Sequence, residues 1–167
     1  METNLTPFFL DYSARKLRTL TGRIEVCLGK LSPEQIWARG CESENAVGNL
    51  TLHLCGNVRQ WIVAGVGGAP DARERDAEFA ARGGVGSAEL MQRLRAAVEE
   101  AAVVIEALTP VRLAEPLTVQ KYDVTVMEAV YHVVEHFSMH TGQIIFATKQ
   151  ITGKDLGFFS RDRNTAR

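Results

Sequence analysis

The segment YHVVEHFSMHTGQII, residues 131–145, places His132, His136 and His140 at intervals of four residues. The chain has four histidines among its 167 residues, and the remaining one is His53. Residues four apart lie on the same face of an α-helix, one turn above the other. The segment therefore predicts a helix that presents a row of imidazoles along one side.

Apolar residues recur at helical spacing in four long segments, and few strand signals compete with them. The predicted helices cover about 6–31, 46–64, 87–108 and 125–152. Four helices of this length predict an all-α fold, an antiparallel four-helix bundle, in a single domain over residues 1–167. The two longer connections between the helices leave their order open.

The predicted helix ends carry recognisable signals. Thr6 followed by Pro7 indicates an N-cap and a proline in the first turn. Thr125 and Glu128 form a capping-box pattern, in which each side chain accepts a backbone N–H of the other residue. Gly153 suits a left-handed turn at the end of the last helix.

The connections are predicted to be simple. The charged stretch DARERDAEFAARGG, residues 71–84, could hold a short exposed turn of helix or part of a flexible loop, and a solvated connection is favoured. The stretch VRLAEPLTVQKYDV, residues 111–124, has some β character, but it is too short to form a sheet alone and predicts a short extended crossover before the last helix. After that helix, Phe158 and Phe159 are expected to pack against the bundle.

Composition excludes several classes of protein. A net charge of −1 argues against a nucleic-acid-binding surface. No apolar run reaches the roughly 20 residues of a membrane span, and the start METNLTPFFLDYS does not resemble a signal peptide. Cys27, Cys41 and Cys55 form no CxxC pair, which favours small apolar fillers in a reducing cytoplasm.

The spacing of the histidines predicts a metal site on the last helix. Two imidazoles one turn apart can reach one divalent ion, since metal–nitrogen bonds are about 2.1 Å. His132 and His140 are separated by about 12 Å along the helix axis, which is too far to share one ion. The spacing alone therefore allows His136 with either His132 or His140, together with a group from another helix.

His53 is the expected third ligand, because it lies in a polar stripe on an otherwise apolar helix. Asn49, His53, Asn57 and Gln60 follow one another at steps of four, four and three residues. Burying such groups costs free energy unless they find partners. We therefore expect Asn49 and Asn57 to orient the ligands or a substrate. Three imidazoles with an open position are typical of a catalytic site for Zn, Ni, Fe or Co.

These residues also carry a family resemblance. The segments NLTLHLCGNVRQWI and EHFSMHTGQI contain HLxGNxRQW and HxxxHxGQI, and they resemble an uncharacterised branch of the DinB-like superfamily over nearly the whole chain. The resemblance implies an up-down-down-up bundle, a homodimer, and one divalent metal, with Zn or Ni expected before Fe or Co. It assigns the metal ligands to His53, His136 and His140. His132 and Gln143 then lie near the site, as residues that support the ligands or line a substrate pocket.

Some relatives in this superfamily are metal-dependent transferases that use low-molecular-weight thiols such as bacillithiol or mycothiol. The resemblance therefore implies a metal-dependent enzyme of the thiol S-transferase type, whose partners are a small thiol and a small electrophile. No catalytic residue beyond the ligands is identified.

Two other functions compete with the transferase. A metal-dependent hydrolase would need a general base, and Glu135 lies roughly 100° around the helix from His136. A non-catalytic metal-binding or stress-associated protein would use the ion for structure or sensing.

Overall fold

Four long helices dominate the computed structural model, which describes residues 4–158. In chain order, its elements are α1 (Thr6–Leu28), α2 (Pro33–Ile36), α3 (Val47–Val58) with a π-helical continuation (Arg59–Val66), α4 (Arg75–Ala80), α5 (Ser87–Glu106), α6 (Pro110–Ala114), β1 (Pro116–Val119), β2 (Tyr122–Thr125) and α7 (Val126–Thr152). Within these residues, no helix is long and apolar enough to cross a membrane.

The residue pairs that meet between helices define their directions. The pairs are Arg18–Glu106 and Glu25–Arg95 between α1 and α5, Cys55–Arg93 and Arg59–Glu100 between α3 and α5, and His53–His140 and Trp61–His132 between α3 and α7. Residue numbers run in opposite directions in the first and third sets and in the same direction in the second. The bundle is therefore up-down-down-up for α1, α3, α5 and α7, and the predicted fold class is confirmed.

The bundle is held together by apolar side chains from all four long helices. Fully buried examples are Leu17 and Ile24 of α1, Leu54 of α3, Leu94 of α5, and Phe137 and Ile144 of α7. Burying one such side chain is worth about 1.5–3 kcal/mol relative to leaving it exposed. Because α3 and α7 pack on each other through this core, the polar side chains beside it are held in register.

The first helix differs from prediction at both ends. The capping position is Leu5 and not Thr6, which is already helical; the Thr6 N–H donates to Asn4 Oδ1 at 3.0 Å. The helix ends at Leu28, about three residues earlier than predicted, because Ser32 begins α2 through a capping box of its own.

The last helix matches its prediction. Thr125 Oγ1 accepts the Glu128 N–H at 3.2 Å, Glu128 Oε2 accepts the Thr125 N–H at 2.7 Å, and Gly153 has a φ of 65°. Phe158 packs against the core as expected, whereas Phe159 lies outside the described residues.

The extended crossover predicted for residues 111–124 is wrong. This stretch forms the short helix α6 and an antiparallel hairpin, in which Pro116 pairs with Thr125 and Val119 with Tyr122. A two-stranded hairpin is marginal alone, so it depends on packing. Val119 is buried, and its Cγ2 lies 2.7 Å from where a Cβ on Gly65 would stand. The absence of a side chain at Gly65 therefore lets the hairpin pack closely on the π-helical continuation of α3.

The cysteines do not share one environment. Cys27 and Cys55 are buried, as expected for small apolar fillers, and burial raises the pKa of Cys55 to about 12. Cys41 is exposed, contrary to that expectation, and its Sγ lies 3.2 Å from Ser43 Oγ.

Candidate metal centre

The structure brings His53 of α3 together with His136 and His140 of α7. His136 Nε2 lies 3.2 Å from His53 Nε2 and 3.1 Å from His140 Nε2. One candidate ligand atom from each ring can be chosen so that all three lie within 4.8 Å of one another. The three imidazoles therefore face a common point, and they could hold a metal ion.

The positions of the protons on these rings suit metal binding better than hydrogen bonding among the rings. His140 Nδ1 lies 2.7 Å from Gln143 Oε1, and His53 Nδ1 lies 3.1 Å from Glu78 Oε2. If each Nδ1 donates its proton to the facing oxygen, both Nε2 atoms present lone pairs. At His53 this tautomer competes with a hydrogen bond from Arg73 Nη2, which lies 3.0 Å from Nδ1. The Nε2 of His136 has at most one proton to give to these two neighbours. A divalent cation accepts all three lone pairs, so the donor set fits the ion.

Burial favours the neutral form of His136 and His140, which is the form that binds metals. Burial and the facing charges of His140 and His53 lower the pKa of His136 to about 3. Burial also lowers the pKa of His140, although its hydrogen bond with Gln143 opposes this effect. His136 Nδ1 is buried and has no hydrogen-bond partner among residues 4–158.

Part of the charged stretch 71–84 folds onto this site, so its interpretation as a solvated connection is wrong. Arg73 and Glu78 have side chains only 3% and 10% exposed. Arg73 Nε donates to Glu78 Oε1 at 2.7 Å, and Arg73 Nη2 donates to Glu78 Oε2 at 2.8 Å. Burial would raise the pKa of Glu78, but the hydrogen bonds and charges of Arg73 and His53 hold it below its usual value. A paired carboxylate therefore lies behind His53.

The sequence did not reveal this pair, because no periodic pattern distinguishes Arg73 and Glu78 from the other charged residues of the stretch. The one signal lies elsewhere, at Gly56 inside α3. A glycine within a helix is destabilising unless something needs the space. A Cβ on Gly56 would stand 1.9 Å from Glu78 Oε1, so the glycine marks where the carboxylate enters.

The two asparagines of the polar stripe have different surroundings. Asn49 is fully buried, and its Nδ2 donates to the backbone carbonyls of Glu78 at 2.8 Å and Ala81 at 2.9 Å. It therefore holds the segment that carries Glu78 and does not touch the histidines' ring nitrogens. Asn57 is also buried and lines a cleft beside the histidines, and its Oδ1 has no partner within the described chain.

His132 lies outside the group of three. Its ring centroid is 4.2 Å from that of Trp61 and 5.5 Å from that of His136. Burial lowers its pKa. His132 therefore packs against Trp61 in the wall of the cleft, one helical turn from His136. Gln143, in contrast, contacts His140 directly.

A cleft of about 470 Å³ opens beside His53 and His136. The hairpin covers one side with Gln120 and Tyr122, and the other lining residues include Asn57, Trp61, Arg73, Arg75, Glu128 and His132. The cleft is large enough for a small molecule, and His53 and His136 form part of its lining.

Comparisons with known proteins agree with this fold. The family described as "Protein of unknown function (DUF1572)" matches residues 4–165. A conserved protein from Enterococcus faecalis has a similar crystal structure, with a TM-score of 0.74 and 16% identity over 86% of this chain and 97% of that one. A DinB-like protein from Bacillus subtilis is similar with a TM-score of 0.66 and 14% identity, over 89% and 98% of the two chains. None of the curated proteins matches the sequence.

Proposed function

This chain belongs to the DUF1572 family and has a DinB-like fold, and from that premise we propose that it is a metal-dependent enzyme of the thiol S-transferase type. The observation that carries the proposal is the convergence of three Nε2 atoms beside a cleft whose one lining glutamate among the described residues, Glu128, is already bonded to Thr125. His53, His136 and His140 would hold one divalent ion, with Zn or Ni expected before Fe or Co.

The carboxylates near the histidines are either bonded to other groups or exposed on the surface, and this favours a thiol over water as the bound nucleophile. Glu128 accepts hydrogen bonds from Thr125 N and Oγ1 at 2.7 and 2.8 Å. Glu78 lies behind His53 and is paired with Arg73. Glu135 is exposed on α7. A hydrolase would need a general base in the cleft, and the group left for that task is His132, whose ring packs against Trp61. The hydrolase therefore ranks below the transferase.

A thiol would not need such a base, because an ion held by His53, His136 and His140 would supply the positive charge that lowers the pKa of a thiol. In the transfer, a C–S bond forms, the bond from carbon to the leaving group breaks, and the leaving group takes that electron pair. The proton of the thiol goes to solvent through the open cleft. The chain's own residues hold the two reactants: Trp61, Tyr122 and His132 offer aromatic surface to the electrophile, and Arg75 offers a cation to an anionic group of the thiol.

A homodimer is part of the proposal, and exposed apolar side chains support it. Phe8 and Tyr12 of α1 are 68% and 56% exposed, and Tyr131 of α7 is 62% exposed. Phe8 and Tyr12 lie one helical turn apart on α1, and neighbouring exposed apolar side chains commonly mark an interface. Light scattering after gel filtration measures the mass, and a monomer at micromolar concentration would contradict the dimer.

The first test is the metal content of protein purified without added metal, measured by elemental mass spectrometry beside the His136→Ala and His132→Ala variants. We expect about one ion per chain in the wild type, none in His136→Ala, and an unchanged content in His132→Ala, whose ring lies one turn from the ligands. A stable wild type without metal would contradict the proposal.

The second test concerns the thiol. Cysteine, glutathione and bacillithiol are added in turn to the cobalt-substituted protein, with 1-chloro-2,4-dinitrobenzene as the electrophile. We expect a thiol to change the visible cobalt spectrum and to displace chloride, and both effects should be absent in His136→Ala. A cobalt spectrum that no thiol changes would refute thiol activation while leaving metal binding intact.

A further inference from the structure

We infer that Glu78 is a positioning residue, which keeps the proton of His53 on Nδ1 so that its Nε2 offers a lone pair to the metal. The inference rests on the proposed metal centre and adds to it a residue from a segment outside the four long helices. It concerns the orientation and protonation of one ligand and leaves the set of three histidines unchanged.

Two groups compete for His53 Nδ1. Glu78 Oε2 lies 3.1 Å from this nitrogen, and Arg73 Nη2 lies 3.0 Å from it. A carboxylate only accepts hydrogen bonds and a guanidinium only donates them. If Nδ1 bonds to Glu78, it carries the proton and Nε2 is free; if it accepts from Arg73, the proton sits on Nε2 and blocks the metal. Glu78 therefore selects the tautomer that can bind an ion.

Arg73 holds the carboxylate in place for this task. Its Nε and Nη2 each bond one oxygen of Glu78, and its Nη1 donates to Gln60 Oε1 at 2.9 Å. A buried ion pair must offset the cost of removing two charges from water, so it is weak evidence for a purely stabilising role. Its position directly behind a metal-facing histidine is accounted for if the pair orients that ring.

The helix α3 is built to receive this carboxylate. A Cβ on Gly56 would lie 1.9 Å from Glu78 Oε1 and 2.9 Å from Arg73 Nε. Alanine is a better helix former than glycine, so α3 gives up local stability where Glu78 enters. Asn49 binds the backbone carbonyl of Glu78 from the same helix. Side chain and backbone of Glu78 are therefore both fixed against α3, independently of His53.

The test compares Glu78→Gln with Glu74→Gln, the same change at an exposed glutamate of the same segment. Zn²⁺ affinity is measured by competition with a chromophoric chelator, and the tautomer of His53 is read from ¹⁵N NMR of the metal-free protein. We expect Glu78→Gln to weaken Zn²⁺ binding about 10- to 100-fold and to move the His53 proton to Nε2. Glu74→Gln should change neither.

A second pair of variants keeps every titratable group. Gly56→Ala should displace the Glu78 carboxylate and weaken Zn²⁺ binding in the same direction, although alanine favours the helix. Gly22→Ala is the matched control, because Gly22 lies on α1 with nothing within 4 Å of its added Cβ. This pair decides the question if Glu78→Gln fails to fold.

The outcomes separate the two proposals. Wild type that binds Zn²⁺, with Glu78→Gln and Gly56→Ala within two-fold of it and an unchanged His53 tautomer, overturns the positioning role and leaves the metal centre standing. Wild type that binds neither Zn²⁺ nor Co²⁺ overturns the metal centre and this role together. Weakened binding in both variants with an altered tautomer supports both.

Discussion

Two segments meet at His53, and they differ in how their roles are encoded. The segment 131–145 of α7 supplies two imidazoles, and its spacing alone predicted that they share a face. The segment 71–82 supplies Arg73 and Glu78, and its sequence resembles an ordinary solvated connection. Local periodicity determines the first role, whereas the second exists only after α4 has packed against α3. The spacing within one helix can thus narrow the candidate ligands, but the groups that support them depend on tertiary contacts.

The largest expected difference between the two segments is in stability. Phe137 of α7, which lies between His136 and His140 in the sequence, is fully buried. Phe79 is half-buried, and its ring centroid lies 4.8 Å from that of His53. We expect Phe137→Ala to lower the free energy of unfolding by about 3–5 kcal/mol, and Phe79→Ala by about 0.5–1.5 kcal/mol. Urea denaturation of the metal-free proteins measures both. Equal losses would show that the connecting segment belongs to the stability core, which would remove the contrast drawn above.

Removing the metal tests whether the bundle or the ion holds the two segments together. The apolar core is contributed by all four long helices and does not include the ligand nitrogens. We therefore expect the stripped protein to stay folded and to lose about 2.7 kcal/mol relative to protein at an ion concentration of 100 Kd. For a chain of this size that is a fall in Tm of roughly 5–10 °C. Calorimetry with and without a chelator measures it.

Two other results of that measurement would point to different functions. Complete unfolding on removal of the metal would indicate a structural ion, because binding free energy would then be folding free energy. That result would favour the non-catalytic metal-binding protein. An identical Tm in both samples, with the ion bound in one of them, would show that the ion binds the folded and unfolded chains equally.

The four long helices were predictable because each buries one apolar face, and this leaves a periodic signal. The spacing of the histidines restricted the ligands to two combinations, and the family resemblance was needed to prefer His140 over His132. The structure places His140 together with His53 and His136, and it places His132 against Trp61. Sequence spacing could not separate them, because both lie one turn from His136.

The hairpin and the connection 71–84 were mispredicted for the same physical reason. Each is too short to be stable alone, and each packs where a glycine of α3 or of its π-helical continuation leaves space for it. Gly65 leaves space for Val119, and Gly56 leaves space for Glu78. A glycine in a helix signals that something approaches closely, but the sequence does not say which distant residue it is.

The smallest expected effects on stability distinguish Asn49 from Asn57, for which the sequence predicted the same role. Asn49 donates to the carbonyls of Glu78 and Ala81, whereas Asn57 Oδ1 has no partner in the described chain. Asn49→Ala should cost about 1–3 kcal/mol of stability, because it removes the side-chain donor to the Glu78 carbonyl and the acceptor of the Arg39 guanidinium. Asn57→Ala removes an atom that is already unsatisfied, so its cost should be below about 1 kcal/mol.

The same pair also tests the link between the connecting segment and the metal. Loosening the backbone at Glu78 should weaken Zn²⁺ binding in Asn49→Ala, although Asn49 touches none of the three histidines' ring nitrogens. Asn57→Ala should leave Zn²⁺ affinity unchanged and alter only the binding of molecules in the cleft. Urea denaturation and Zn²⁺ competition on the two variants measure both effects. Equal Zn²⁺ affinities in Asn49→Ala and the wild type would mean that Glu78 keeps its position without its backbone anchor, so that the Arg73 ion pair and the space at Gly56 suffice to hold it.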